Sequence, residues 1–150
     1  MLRDILRATQ TGNIGELMEN MKQKNIPFAT NSTEVATIGG GCFWCLEAIY
    51  YEIDGVVKVE SGYSGGTIHN PTYEQVTFGD TGHYEVVEIL YDDTIISYEE
   101  LLAVFWRNID PLDAGGQFCD RGSSYRTAIF VEGEKEKALA QSSKQTIQNQ

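Results

Sequence analysis

GGGCFWCLEA, residues 39–48, decides how the chain is laid out. It follows EVATI (34–38), a short apolar run that reads as a strand. From Cys42 onward the apolar residues fall at Cys42, Cys45, Leu46, Ile49, Tyr50 and Ile53, which is helical spacing. A strand therefore turns into a helix across three glycines, and Gly55 after Asp54 supplies the stop. VVKVE (56–60) reads as the next strand, and HYEVVEILY (83–91) as a third. Ser97 and Glu100 form a capping box ahead of a second helix, LLAVFWRNI. YRTAIFV (125–131) alternates as a fourth strand, and residues 132–150 read as a polar final helix. The order is β-α-β-β-α-β followed by α. It predicts an α+β, ferredoxin-like two-layer sandwich with both crossover helices on one face of the sheet.

Two stretches exceed what connection requires, SGYSGGTIHNPTYEQ (61–75) and DPLDAGGQFCDRGSS (110–124). Loops of this length are often functional. Residues 1–33 read as a peripheral arm, with a short amphipathic helix in IGELMENMKQ (14–23) and an extended linker in IPFATNST (26–33). Residues 34–150 read as one domain, since 150 residues can bury a single core without disulfides. The final helix reaches Gln150 without a stop signal, so the chain reads as truncated there.

A net charge of −11 disfavours a nucleic-acid partner, because such a surface repels phosphate. No apolar run is long enough to span a bilayer. MLRDILRATQ lacks the apolar core of a secretory signal, which predicts a cytoplasmic protein. Three cysteines at uneven spacing are no secreted disulfide framework. In a reducing compartment the close pair Cys42 and Cys45 points to redox chemistry or a metal. With no second CxxC and no paired histidines, metal is the weaker reading.

The glycine turn places Cys42 at a helix N-terminus, where free N–H groups and the helix dipole favour thiolate. The bland alternative is an inert buried cysteine. Phe43 and Trp44 would give it an apolar wall suited to a methyl thioether. Glu85 lies in a strand apolar on both faces. Turned inward, its carboxyl would hold a proton near neutrality; at a strand end it would simply face water. Tyr73 and Tyr125 could donate to a developing oxyanion or could pack in the core. Asp120 reads from the residues alone as a loop carboxylate, and His83 as a turn or packing histidine.

GCFWCLEA, SGYSGG, NPTYEQV, TGHYEVV, FWRNIDP and GGQFCDRGSSYRTAIF occur in that order. Over about residues 34–140 this resembles the peptide methionine sulfoxide reductases of the A type, which act on the S epimer. The resemblance implies that Cys42 is the nucleophile and that Phe43 and Trp44 hold the methyl group. It implies that Glu85 protonates the sulfoxide oxygen, that Tyr73 and Tyr125 hydrogen-bond it, and that Asp120 is a further polar residue of the site. It also implies a sulfenic acid on Cys42, a disulfide with a second cysteine, and reduction by thioredoxin, with no metal and no bound organic cofactor. Many family members carry glycine where this chain has Cys45, which makes Cys45 a candidate resolving thiol. Cys119, in a long loop beside Asp120, is the other candidate, or a relay to thioredoxin. Family chains commonly continue past the final helix. The rival readings are a general thiol–disulfide oxidoreductase and a sulfoxide-binding module without turnover.

Overall fold

The computed structural model describes residues 5–7 and 32–149. The helix expected at 14–23 and most of the expected linker lie outside the described residues. The chain runs β1 (Ile5–Arg7), β2 (Thr33–Gly39), α1 (Phe43–Tyr51), β3 (Val56–Ser64), α2 (Tyr73–Phe78), β4 (Tyr84–Asp92) and α3 (Tyr98–Asn108). It continues with β5 (Gly116–Gln117), β6 (Asp120–Arg121), a 3-10 turn (Ser123–Tyr125), β7 (Ala128–Val131) and α4 (Gly133–Gln148).

The main sheet has the order β1-β7-β2-β4-β3. Its β7-β2-β4-β3 part is antiparallel throughout and has the expected ferredoxin-like order. β1, within the stretch read as an arm, pairs parallel to β7 as an edge strand, from Ile5 opposite Ile129 to Arg7 opposite Val131.

β4 is central, as its two apolar faces require. Val87, Ile89 and Tyr91 point to the layer of helices. There they meet Phe43, Leu46 and Tyr50 of α1, Leu101, Leu102 and Phe105 of α3, and Ala140 of α4. Tyr84 and Val86 point the other way and pack with Ala128 and Phe130. The Tyr50 hydroxyl donates to the Leu101 carbonyl at 2.9 Å, tying α1 to α3. The Ser97–Glu100 capping box forms as the sequence predicts and starts α3 at Tyr98. Among the described residues no helix is long and apolar enough to cross a membrane.

Three expectations change in detail. The strand read at 56–60 continues to Ser64. The first long loop contains α2, started by a capping box between Thr72 and Gln75. The last strand begins at Ala128, because residues 123–125 form a 3-10 turn.

Candidate active site

The glycines let the turn between β2 and α1 press closely against the end of α3. A side chain on Gly40 would start 2.8 Å from Ile109 and 3.0 Å from Phe105, and Gly41 has φ +86°. The turn leaves Cys42 in an extended conformation as the N-cap of α1, half-buried, with no side-chain cap. Its carbonyl accepts the first helical bonds, from the N–H groups of Cys45 and Leu46.

The N–H of Phe43, one of the orphan donors at this helix start, is not left for solvent. It donates to Glu85 Oε2 at 3.0 Å. Glu85 comes from the central strand and is only 2% exposed, so of its two possible orientations the inward one is found. Burial pushes its carboxyl up, the Phe43 N–H draws it part of the way back, and the negative charge of Asp120 raises it further. An acid held above its ordinary range thus stands one backbone atom away from the helix start that carries the cysteine.

The aromatic residues extend from this point outward. The Phe43 ring is buried, 5.6 Å from Trp44 and 5.5 Å from Tyr63 between centroids. Trp44 is 64% exposed and stacks on Tyr73 at 6.5 Å with planes 10° apart. The two rings expected to make an apolar wall therefore form a continuous strip, Phe43 at its foot and Trp44 at its rim. Tyr73 reaches the rim because the capping box begins α2 at that residue. Tyr125, half-buried, is pushed up to about 12, first by burial and then by Glu85, Tyr73, Asp120 and Cys42. Its hydroxyl accordingly keeps its proton at neutral pH and can donate. Asp120 enters on the hairpin β5–β6.

Of the two remaining cysteines, Cys45 lies one helical turn after Cys42. Burial and that neighbour both push Cys45 up. Cys119 is exposed at the two-residue tip of the β5–β6 hairpin, next to Phe118, whose φ is +52°. All three cysteines are free thiols. Among the described residues no cluster of three His, Cys, Asp or Glu side chains is arranged to hold a metal ion.

His83 packs as read. Gly66 N–H donates to its Nδ1 at 3.2 Å, so Nε2 carries the proton and donates to the Ile68 carbonyl at 2.7 Å. The imidazole pins the SGG turn to β4. Tyr63 was not singled out by the sequence. It stands opposite Glu85 in the β3–β4 register, and burial together with Glu85 and Tyr73 pushes its phenol up. Its signal was the continuation of the strand into SGYSGG, which the glycines obscured.

A buried acid, a helix-start cysteine and a strip of rings thus stand together at this turn. The family model for peptide methionine sulfoxide reductase matches residues 34–150. The chain belongs to that family. It is 53% identical over 114 residues to peptide methionine sulfoxide reductase MsrA of Bacillus licheniformis, covering 76% of this chain and 63% of that one. It thus spans just under two thirds of that relative's length. The solved methionine sulfoxide reductase A of Corynebacterium diphtheriae superimposes with a TM-score of 0.73 at 35% identity, over 81% of this chain and 57% of that one. Reduced Mxr1 from Saccharomyces cerevisiae gives 0.73 at 30% identity, over 84% and 74%.

Proposed function

We propose that this reductase-family chain converts methionine (S)-sulfoxide, free or in oxidised proteins, to methionine, with residues 34–150 as the catalytic domain. The observation that carries the reading is the bond from the Phe43 N–H to the buried Glu85 carboxyl, beside Cys42. A disulfide exchanger needs the two cysteines but has no departing oxygen that calls for an acid at this position. A sulfoxide oxygen leaving its sulfur does need one.

In this mechanism the Cys42 thiolate attacks the sulfoxide sulfur, and Glu85 delivers a proton to the oxygen. Tyr73 and Tyr125 donate hydrogen bonds to that oxygen as charge develops on it. Phe43 and Trp44 hold the methyl group, and Asp120 adds a polar contact. The oxygen ends on the Cys42 sulfur as a sulfenic acid, methionine leaves, and substrate sulfur has gained two electrons. A second thiol then condenses with the sulfenic acid, expelling water and forming a disulfide. Cys45 is the nearer resolving thiol, and Cys119 serves as the outward relay. Thioredoxin reduces the resulting disulfide by exchange. Yeast Mxr1 has been solved in complex with Trx2, which supports a thioredoxin partner. The cycle needs no bound cofactor and fits a reducing compartment, the cytoplasm.

The test supplies S and R epimers of a methionine sulfoxide peptide with dithiothreitol and measures methionine formed. The expected result is turnover of the S epimer alone and none with Cys42→Ser. Turnover by Cys42→Ser, or no methionine from either epimer with the folded protein, overturns the reading.

A further inference from the structure

We propose that Gln117 is a positioning residue of this site, its amide fixing the Cys119–Asp120 hairpin to the segment after α3 while its stem supports the turn that carries Cys42. Gln117 is 1% exposed, in a glycine-rich loop where a long polar side chain would ordinarily face water. Its Oε1 accepts from the Asp110 N–H at 2.7 Å. Its Nε2 donates to the Asp110 carbonyl at 2.9 Å and to the Gly116 carbonyl at 2.7 Å. Reversing the amide would set its two N–H groups against another N–H and its oxygen against two carbonyls. These bonds therefore admit one orientation only.

Three segments meet at this side chain. Asp110 follows directly on the end of α3. Gln117 itself pairs with Asp120 across the hairpin. Its Cβ and Cγ lie 2.8 and 3.4 Å from where a side chain on Gly41 would begin, so the backbone immediately before Cys42 rests on the stem of this residue. Outside, Arg121 makes a two-pronged ion pair with Asp113, closing the same loop at the surface. That pair is exposed and contributes little. The amide is the buried tie to Asp110, and the stem that carries it is what touches the cysteine turn.

Gln117 does not reach the reacting atoms in this arrangement. Its effect is on where Cys42 and Asp120 stand. Small displacements of reacting groups are costly, so loss of the amide bonds should be felt in chemistry at temperatures where the fold is intact.

Two variants separate this role from simple packing. Gln117→Leu keeps bulk and removes every polar bond. Gln117→Glu keeps the shape and titrates. Its protonated carboxyl can still accept from Asp110 N–H and donate to one carbonyl, whereas its ionised form faces two carbonyl oxygens. The ionisable groups around it are Asp110 and Asp113 in the loop, Asp120 and Arg121 across the hairpin, and Cys42 beyond Gly41. Carboxylates predominate among them, which favours the protonated form on mild acidification.

The first readout is alkylation of Cys42 by iodoacetamide across pH, in a Cys45→Ser, Cys119→Ser background. It needs no reductase activity. The second is the single-turnover rate with methionine (S)-sulfoxide, and this arm alone rests on the proposed function. Both are expressed as the ratio to the same protein with Gln117. The expected single-turnover ratio for Gln117→Leu is a loss of about 10- to 100-fold that does not vary with pH. Gln117→Glu should match that loss near pH 8 and recover most of it near pH 5.5, with the alkylation profile moving in parallel. Folded variants with lower melting temperatures but unchanged alkylation profiles and single-turnover rates overturn the proposal. If the alkylation profiles shift while no variant, wild type included, reduces the sulfoxide, the reductase reading fails and the positioning role stands.

Discussion

Replacing Glu85 by glutamine tests the proposed chemistry with little structural disturbance. The carboxyl accepts one hydrogen bond, from the Phe43 N–H at 3.0 Å, and a glutamine oxygen can accept the same bond in the same place. The helix start, the aromatic strip and substrate binding should survive the change. What disappears is the proton. A general acid at this step is worth about 100-fold or more, or roughly 2.7 kcal/mol of barrier. The expected signature is a fall of that size in the single-turnover rate with an unchanged KM. Disulfide exchange at Cys42 and Cys45 should persist, since it does not use the carboxyl.

Wild-type reduction should decline as pH rises through Glu85's raised value, because only the protonated form donates. The glutamine variant should lose that limb of the profile. Linkage gives a second signature of known sign. A carboxyl raised in the folded state contributes stability that is complete below its unfolded value and is lost as pH climbs through the folded one. The variant has no such loss, so near pH 8 it should melt at a higher temperature than wild type, and the gain should vanish at acidic pH. A variant that reduces sulfoxide at near wild-type rate in a single turnover would refute the reasoning, since another group would then deliver the proton.

Oxidising each single Cys→Ser variant with one equivalent of substrate and mapping the disulfide by peptide mass should give a Cys42–Cys45 bond whenever both are present. A Cys42–Cys119 bond formed at full rate in wild type, with Cys45 still free, would reverse the order. Ile89→Ala, at a fully buried position at the centre of β4, should cost about 2–5 kcal/mol. In urea this should appear as a lower midpoint with unchanged slope, and a loss under 1 kcal/mol would show that the core closes over the gap.

The parts of the fold that could be read from the sequence were those set by short-range patterns. Alternation along 83–91 gave a central strand, the Ser97–Glu100 spacing gave a helix start, and the step from GGG into helical spacing put Cys42 at an N-cap. α2 could have been found by the same means, because Thr72 and Gln75 have the spacing of a capping box. The density of Gly, Asn and Pro around them concealed it. Glu85 posed a different problem. Alternation assigns it to a face but cannot say whether that end of the face is covered, and the cover is the distant start of α1. Gln117 was invisible for the same reason. Nothing local distinguishes a glutamine in a polar loop from one that bridges the end of α3, a hairpin and the turn before Cys42. Tyr73, Tyr125 and Asp120 were expected at the site from the family motifs alone, because they lie on two connections far apart in the chain.

The bond from Phe43 to Glu85 has a mechanical meaning. Through it the residue next to the cysteine is tied to the central strand, so the start of α1 and the acid share one anchor. Transplanting this chemistry into another scaffold would thus call for an antiparallel strand pair and a helix start held in the same frame, while the surrounding loops could be rebuilt.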